Sequence, residues 1–229
     1  MSNGMVTQFE VIPTAKEAWA KVSGSKMPMV LAALVCIAIQ IVIQIITGMF
    51  TNVIGPVAVA FVSNIIAILV LLPAIAGVMY MGLQRVRNLP LTVSQVFYLY
   101  KKDLLIQTWI FYIAYFAIFL AAGILIAIFS NIPALYLIAS IVIVLALIYI
   151  CARISLGIYF IFDNNEKGID AIKHSYNITK PYIWKLIFSF ILIGVAMFVG
   201  ALLLMVGLIW TIPFSYIFMG LIYQKIASV

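Results

Sequence analysis

The chain alternates long apolar runs with short polar segments. The runs are Met27–Phe50, Val57–Leu83, Leu104–Phe129, Pro133–Phe162, Tyr182–Val206 and Leu208–Tyr223. A helix crosses a bilayer with about 20 apolar residues. The pattern therefore predicts six membrane-spanning helices and an all-α fold. Residues 182–223 are almost uninterrupted, and one helix of that length would far exceed the bilayer. A turn is expected at Gly207–Thr211, because Gly207 and the following Pro213 punctuate the run.

The segments between the runs alternate in character. Thr51–Pro56, Ser130–Ile132 and Gly207–Thr211 carry no charge. The others carry nearly all of it. Lys16, Lys21 and Lys26 precede the first run, and Arg85, Arg87, Lys101 and Lys102 fall in the second connection. The fourth connection holds Lys167, Lys173, Lys180 and Lys185, and Lys225 lies near the C-terminus. Short basic segments mark the cytoplasmic side, so both termini are expected there.

The charged segments also resemble one another. Thr14-Ala-Lys-Glu17 and Thr92-Val-Ser-Gln95 each read as a capping box, in which the first and fourth side chains satisfy a helix's opening amides. Apolar positions at helical spacing accompany them: Ala15, Ala18 and Val22, then Val93, Val96 and Tyr100, then Ile169, Ile172 and Tyr176. Each set precedes two apolar runs. The chain thus reads as one membrane domain over residues 1–229, built of three hairpins, each preceded by a short amphipathic interfacial helix. The repeat boundaries fall near 14–91, 92–167 and 168–229. Ordinary amphipathic connectors would give a similar pattern without a repeat.

Composition strengthens the membrane reading. Hydrophobic residues make up 67% of the chain and charged residues 8%, with a mean hydropathy of +1.27. Soluble domains average about 45–50% apolar and about 25% charged. The net charge of +7 is expected to report contact with anionic headgroups rather than nucleic acid, because no basic stretch has the length of a nucleic-acid tail. No cleavable leader is expected, since the first apolar run is too long for a signal peptide and reads as a retained anchor. Cys36 and Cys151 each sit inside an apolar run and are expected to be buried free thiols. His174 is the single histidine and has no ligand cluster around it, so neither a metal nor a cofactor is expected.

Three features are candidates for function. Arg153 lies inside the fourth run, where an arginine costs about 2.5–3.5 kcal/mol on insertion scales. Its guanidinium is expected to donate to a carbonyl freed by a helix proline, Leu69 (Pro73) or Ile209 (Pro213), or to Asp103 or Asp163. It is then either a structural clamp or a charge facing a substrate. Gln40, Gln44, Asn64, Ser140 and Ser215 form a polar layer, read as interhelical hydrogen bonding or as the lining of a small cavity. The segment Asn164–Trp184, with Lys173, His174, Lys180 and Trp184 and followed by Lys185, has the basic and aromatic makeup of a helix at headgroup level. It either anchors passively or holds a specific phospholipid headgroup. No catalytic constellation is visible, and His174 and Ser175 should point to different sides of a helix.

Arg153-Ile-Ser-Leu through Asp163, then Gly168-Ile-Asp-Ala-Ile-Lys-His-Ser175 and Trp184, resembles the YciC-like bacterial inner-membrane proteins. It is also similar to the membrane domain found beside some glycerophosphodiester phosphodiesterases. Gly168, Ala171 and Ser175 fit the spacing of that family's connector, and the match covers roughly the C-terminal third. The resemblance implies a bacterial inner-membrane protein linked to envelope or lipid homeostasis, without the phosphodiesterase activity. The expected function is a non-enzymatic multipass component whose partners are membrane lipids or other membrane proteins. The alternative is a small transporter or lipid permease with a cavity between the hairpins.

Overall fold

The computed structural model describes residues 9–203 and 205–228; these are helical almost throughout and contain no strand. The α-helices are α1 (Val11–Val22), α2 (Lys26–Gly48), α3 (Thr51–Ile54), α4 (Pro56–Val86) and α5 (Lys102–Ile128). They continue as α6 (Pro133–Ile154), α7 (Gly157–Asn164), α8 (Gly168–Ile178), α9 (Ile183–Leu202) and α10 (Leu208–Ala227). Among the described residues, five stretches are long and apolar enough to cross a membrane: Lys26–Gly48, Pro56–Val86, Lys102–Ile128, Pro133–Asn164 and Lys180–Leu202. The architecture is consistent with an all-α membrane protein. The last helix, α10, is as long as α9, but its apolar content is diluted by Trp210, Thr211, Pro213, Ser215, Gln224 and Lys225.

Several boundaries differ from the sequence expectation. Between α9 and α10 the described residues Leu203 and 205–207 are turn, which overlaps the expected Gly207–Thr211 only at Gly207. α1 starts at Val11, so Thr14 lies inside the helix and is not its N-cap. The Thr92–Gln95 capping box is present, but the helix it opens, Val93–Tyr100, is a 3-10 helix. The fourth apolar run is broken after Ile154 by the turn at Ser155–Leu156.

Contacts divide the chain into two compact units. One comprises Asp103–Val195 with Ile222 onward and the segment before Pro13. The other comprises Pro13–Lys102 and Ala196–Leu221. In the second unit, α2 packs against α4, and both pack against the 3-10 helix. Gly77 allows the approach of α4, because a Cβ there would collide with the Val96 backbone. Pro73 interrupts the α4 hydrogen-bond ladder. The Tyr100 hydroxyl donates to the Val70 carbonyl three residues before it. Burial, and secondarily the Cys36 thiol, push the Tyr100 pKa up, so this hydroxyl remains a donor.

In the first unit, α7 and α6 pack against α8. Gly157 has the role of Gly77: a Cβ there would lie 2.5 Å from the Phe111 ring and 3.3 Å from the Ala171 carbonyl. Residues Gly157–Phe162 of α7 are all buried. Most of α6, by contrast, presents large aliphatic side chains outward, from Leu135 to Ile148. The same gradient runs along α4, whose buried residues concentrate from Pro73 to Val86 while Val57, Phe61 and Leu69 are exposed. Helix ends near the charged segments are packed in protein, and the rest of each long helix offers an apolar surface suited to lipid.

Exposure also recurs along the chain. Residues 11–46 and 168–203 share one sequence of buried, half-buried and exposed positions, with Val11 matching Gly168. The exceptions are Glu17/His174 and Ser25/Tyr182. Residues 23–46 and 102–125 match in the same way, except at Leu31/Ile110 and Gln40/Phe119.

Candidate functional site

The site grows from the end of α6. That helix has 22 residues and so spans about 33 Å at 1.5 Å per residue, enough for a hydrocarbon core of about 30 Å. Arg153 stands in its last turn, inside the longer candidate span Pro133–Asn164. Its side chain is 3% exposed. Nε donates to the Tyr176 carbonyl at 2.9 Å, Nη2 donates to the same oxygen, and Nη1 donates to the Tyr149 hydroxyl at 2.6 Å. The guanidinium lies 3.8 Å from the centre of the Tyr176 ring and 5.5 Å from that of Tyr149.

The partner corrects the sequence expectation. Within its own unit Arg153 bonds neither Asp103 nor Asp163; it bonds a carbonyl near the C-terminus of α8. A helix's last carbonyls lack intrahelical donors and carry the negative end of the helix dipole. A planar cation with several donors suits that position. Asp163 instead accepts from the Tyr223 hydroxyl at 2.9 Å.

α8 returns the contact. Ser175 Oγ and Thr179 Oγ1 donate to the Arg153 carbonyl at 2.8 and 2.9 Å, and Thr179 Oγ1 also lies 2.7 Å from the Ser175 carbonyl. The inner face of α8 is Gly168, Ala171, Ser175 and Thr179, all buried. Of the apolar set at helical spacing, Ile169 and Tyr176 point outward and Ile172 is half-buried. Small and hydroxylated residues allow close approach to α7 and satisfy the α6 end. Larger apolar residues are left outside, where a bilayer interface would take them. Ser175 and Thr179, four residues apart and in line with Ala171, were the readable signal for this face.

The headgroup-level candidates are surface residues. Lys173, His174, Lys180 and Trp184 are exposed, Trp184 at 79%. His174 stacks on Phe160 at 4.1 Å and its Nδ1 lies 2.9 Å from Glu166 Oε1. Lys185 is half-buried and donates to the Phe9 carbonyl at 2.7 Å.

The polar-layer side chains are resolved more locally than expected. Asn64 donates to the Ala60 carbonyl, Ser140 to Tyr136 and Ser215 to Thr211, each four residues back on its own helix. Such bonds satisfy the side chain without a neighbouring helix. Gln40 is half-buried and Gln44 exposed. Cys36 and Cys151 are free and half-buried.

A second clamp was not anticipated. Arg85, in the last turn of α4, donates from Nε to the Lys21 carbonyl at 2.9 Å and from Nη2 to the Ser23 carbonyl at 2.5 Å. These carbonyls close α1, where Gly24 takes a positive φ of 84°. No family model, curated protein or solved structure matches the chain significantly.

Proposed function

We propose that this protein is a non-enzymatic, multipass membrane component that engages lipids or partner membrane proteins at headgroup level. The observation that carries the reading is α8. Arg153, Ser175 and Thr179 fix its inner face, while Lys173, Tyr176, Lys180 and Trp184 stay exposed. Basic and aromatic residues held together next to a candidate span suit the interface between headgroups and acyl chains. In this reading α10 is the sixth span, and the helices form three hairpins with an amphipathic segment before each. Both termini lie on the basic, cytoplasmic side of a bacterial inner membrane, in keeping with the YciC-like resemblance and a link to envelope or lipid homeostasis.

The test is the full chain purified in mild detergent and weighed by native mass spectrometry, alongside flux assays in liposomes. Retained phospholipid or a retained membrane protein, without solute flux, is the expected result. Flux that falls in an Arg153→Ala variant that still folds would replace this reading with a small transporter or lipid permease.

A further inference from the structure

The matching exposure pattern bears on α1. When Val11 is set against Gly168, the buried positions Val11, Thr14, Ala18 and Val22 fall on Gly168, Ala171, Ser175 and Thr179. The exposed positions Ile12, Lys16 and Trp19 fall on Ile169, Lys173 and Tyr176. Ile12 and Ile169 are 49% and 46% exposed. Positions i, i+4 and i+7 share a helix face, so each helix presents an aliphatic residue, a lysine and an aromatic ring in that order. Each C-terminal end is closed by an arginine from a long helix, Arg85 for α1 and Arg153 for α8.

We infer that the outer face of α1, carried by Ile12, Lys16 and Trp19, is a second contact surface for anionic phospholipid, equivalent to the outer face of α8. The inference rests on the headgroup reading of α8. Lipid is the occupant the chemistry selects. The face combines an ammonium for a phosphate with apolar side chains for the glycerol and upper acyl region, a mixture that a water-exposed helix has no reason to display. It is also continuous with a span, because α2 begins at Lys26, directly after the turn that ends α1. Met27, just after the start of α2, and Trp184, at the matching place beyond α8, are both exposed.

The experiment counts bound lipid on the full chain in detergent by native mass spectrometry, with phosphatidylglycerol and phosphatidylcholine as probes and inorganic phosphate as competitor. One variant set is Lys16→Gln with Trp19→Ala. The other is Lys173→Gln and Lys180→Gln with Trp184→Ala. Each lysine removed is expected to weaken phosphatidylglycerol retention about fivefold near an anionic surface, with phosphatidylcholine little changed and Lys16→Arg restoring the loss. Trp19 also packs edge-on against Phe214, so Lys16→Gln alone decides the matter if the paired variant fails to fold. If only the α8 set acts, the second surface is overturned and the reading of α8 survives. If neither set acts, both fall. Displacement of phosphatidylglycerol by phosphate, or equal loss of both lipids, also overturns the inference.

Discussion

Two arginines close two amphipathic helices in this molecule, and they do so at different cost. Arg153 is almost wholly buried, is flanked by two tyrosine rings, and receives hydroxyl bonds on its own carbonyl from the helix it holds. Arg85 is half-buried and bonds the last turn of α1 at Lys21 and the turn after it at Ser23. Both use the unpaired carbonyls at a helix end. The buried clamp fixes orientation through several mutually supporting bonds; the half-buried clamp stays in competition with water. The largest effect is therefore expected for Arg153→Ala, a loss of about 3 kcal/mol, since it leaves a buried carbonyl without its charged donor. Detergent-to-SDS titration of the purified protein would measure it. Arg153→Lys keeps the charge but loses the planar fork, and should recover less than half. Full recovery by lysine would show that charge alone, and not the fork, holds α8.

The glycines sharpen the same contrast. A Cβ at Gly77 meets main chain, at Val96, whereas at Gly157 it meets chiefly the far end of the Phe111 ring. Backbone cannot rotate away, and a ring can. Gly77→Ala is expected to cost about 2–3 kcal/mol and Gly157→Ala about 1 kcal/mol. Arg85→Ala should cost about 1–2 kcal/mol, in line with a charged hydrogen bond that is partly hydrated. If Arg85→Ala proves as damaging as Arg153→Ala, burial is not what separates the two clamps.

Much of the fold was legible because lipid and protein select residues by simple rules. Long apolar runs gave the helices; the basic segments gave the amphipathic pieces between them. The break at Ser155–Leu156 was not read, because the run stays largely apolar to Phe162 without a proline, and Ser155 and Gly157 are weak punctuation within it. Arg153 stood out as a charge in an apolar run. Its partner did not, because a main-chain carbonyl leaves no mark in a side-chain pattern. The inner face of α8 was not read from the sequence for a related reason. Ile169, Ile172 and Tyr176 look like a core stripe by hydropathy, yet beside a membrane the outside is also apolar, and hydropathy alone cannot choose the inner face. Arg85 was read only as an orientation signal, since it sits among the basic residues that end α4.

The smallest effect concerns an exposed tie on α8, the pair between His174 and Glu166. Its side chains are 43% and 23% exposed, so solvent screens it, and pairs of this kind contribute about 0–1 kcal/mol. Glu166→Gln keeps the shape of the side chain and an acceptor for the imidazole. It should change stability by less than about 0.5 kcal/mol, read in the same SDS titration. His174→Ala removes the stacking on Phe160 as well and should cost about 1 kcal/mol. The order of these two separates packing from charge at the surface of α8. Were Glu166→Gln to cost as much as Arg153→Ala, α8 would be held as firmly by its exposed edge as by its buried one, and the contrast between the two arginine clamps would lose its physical basis.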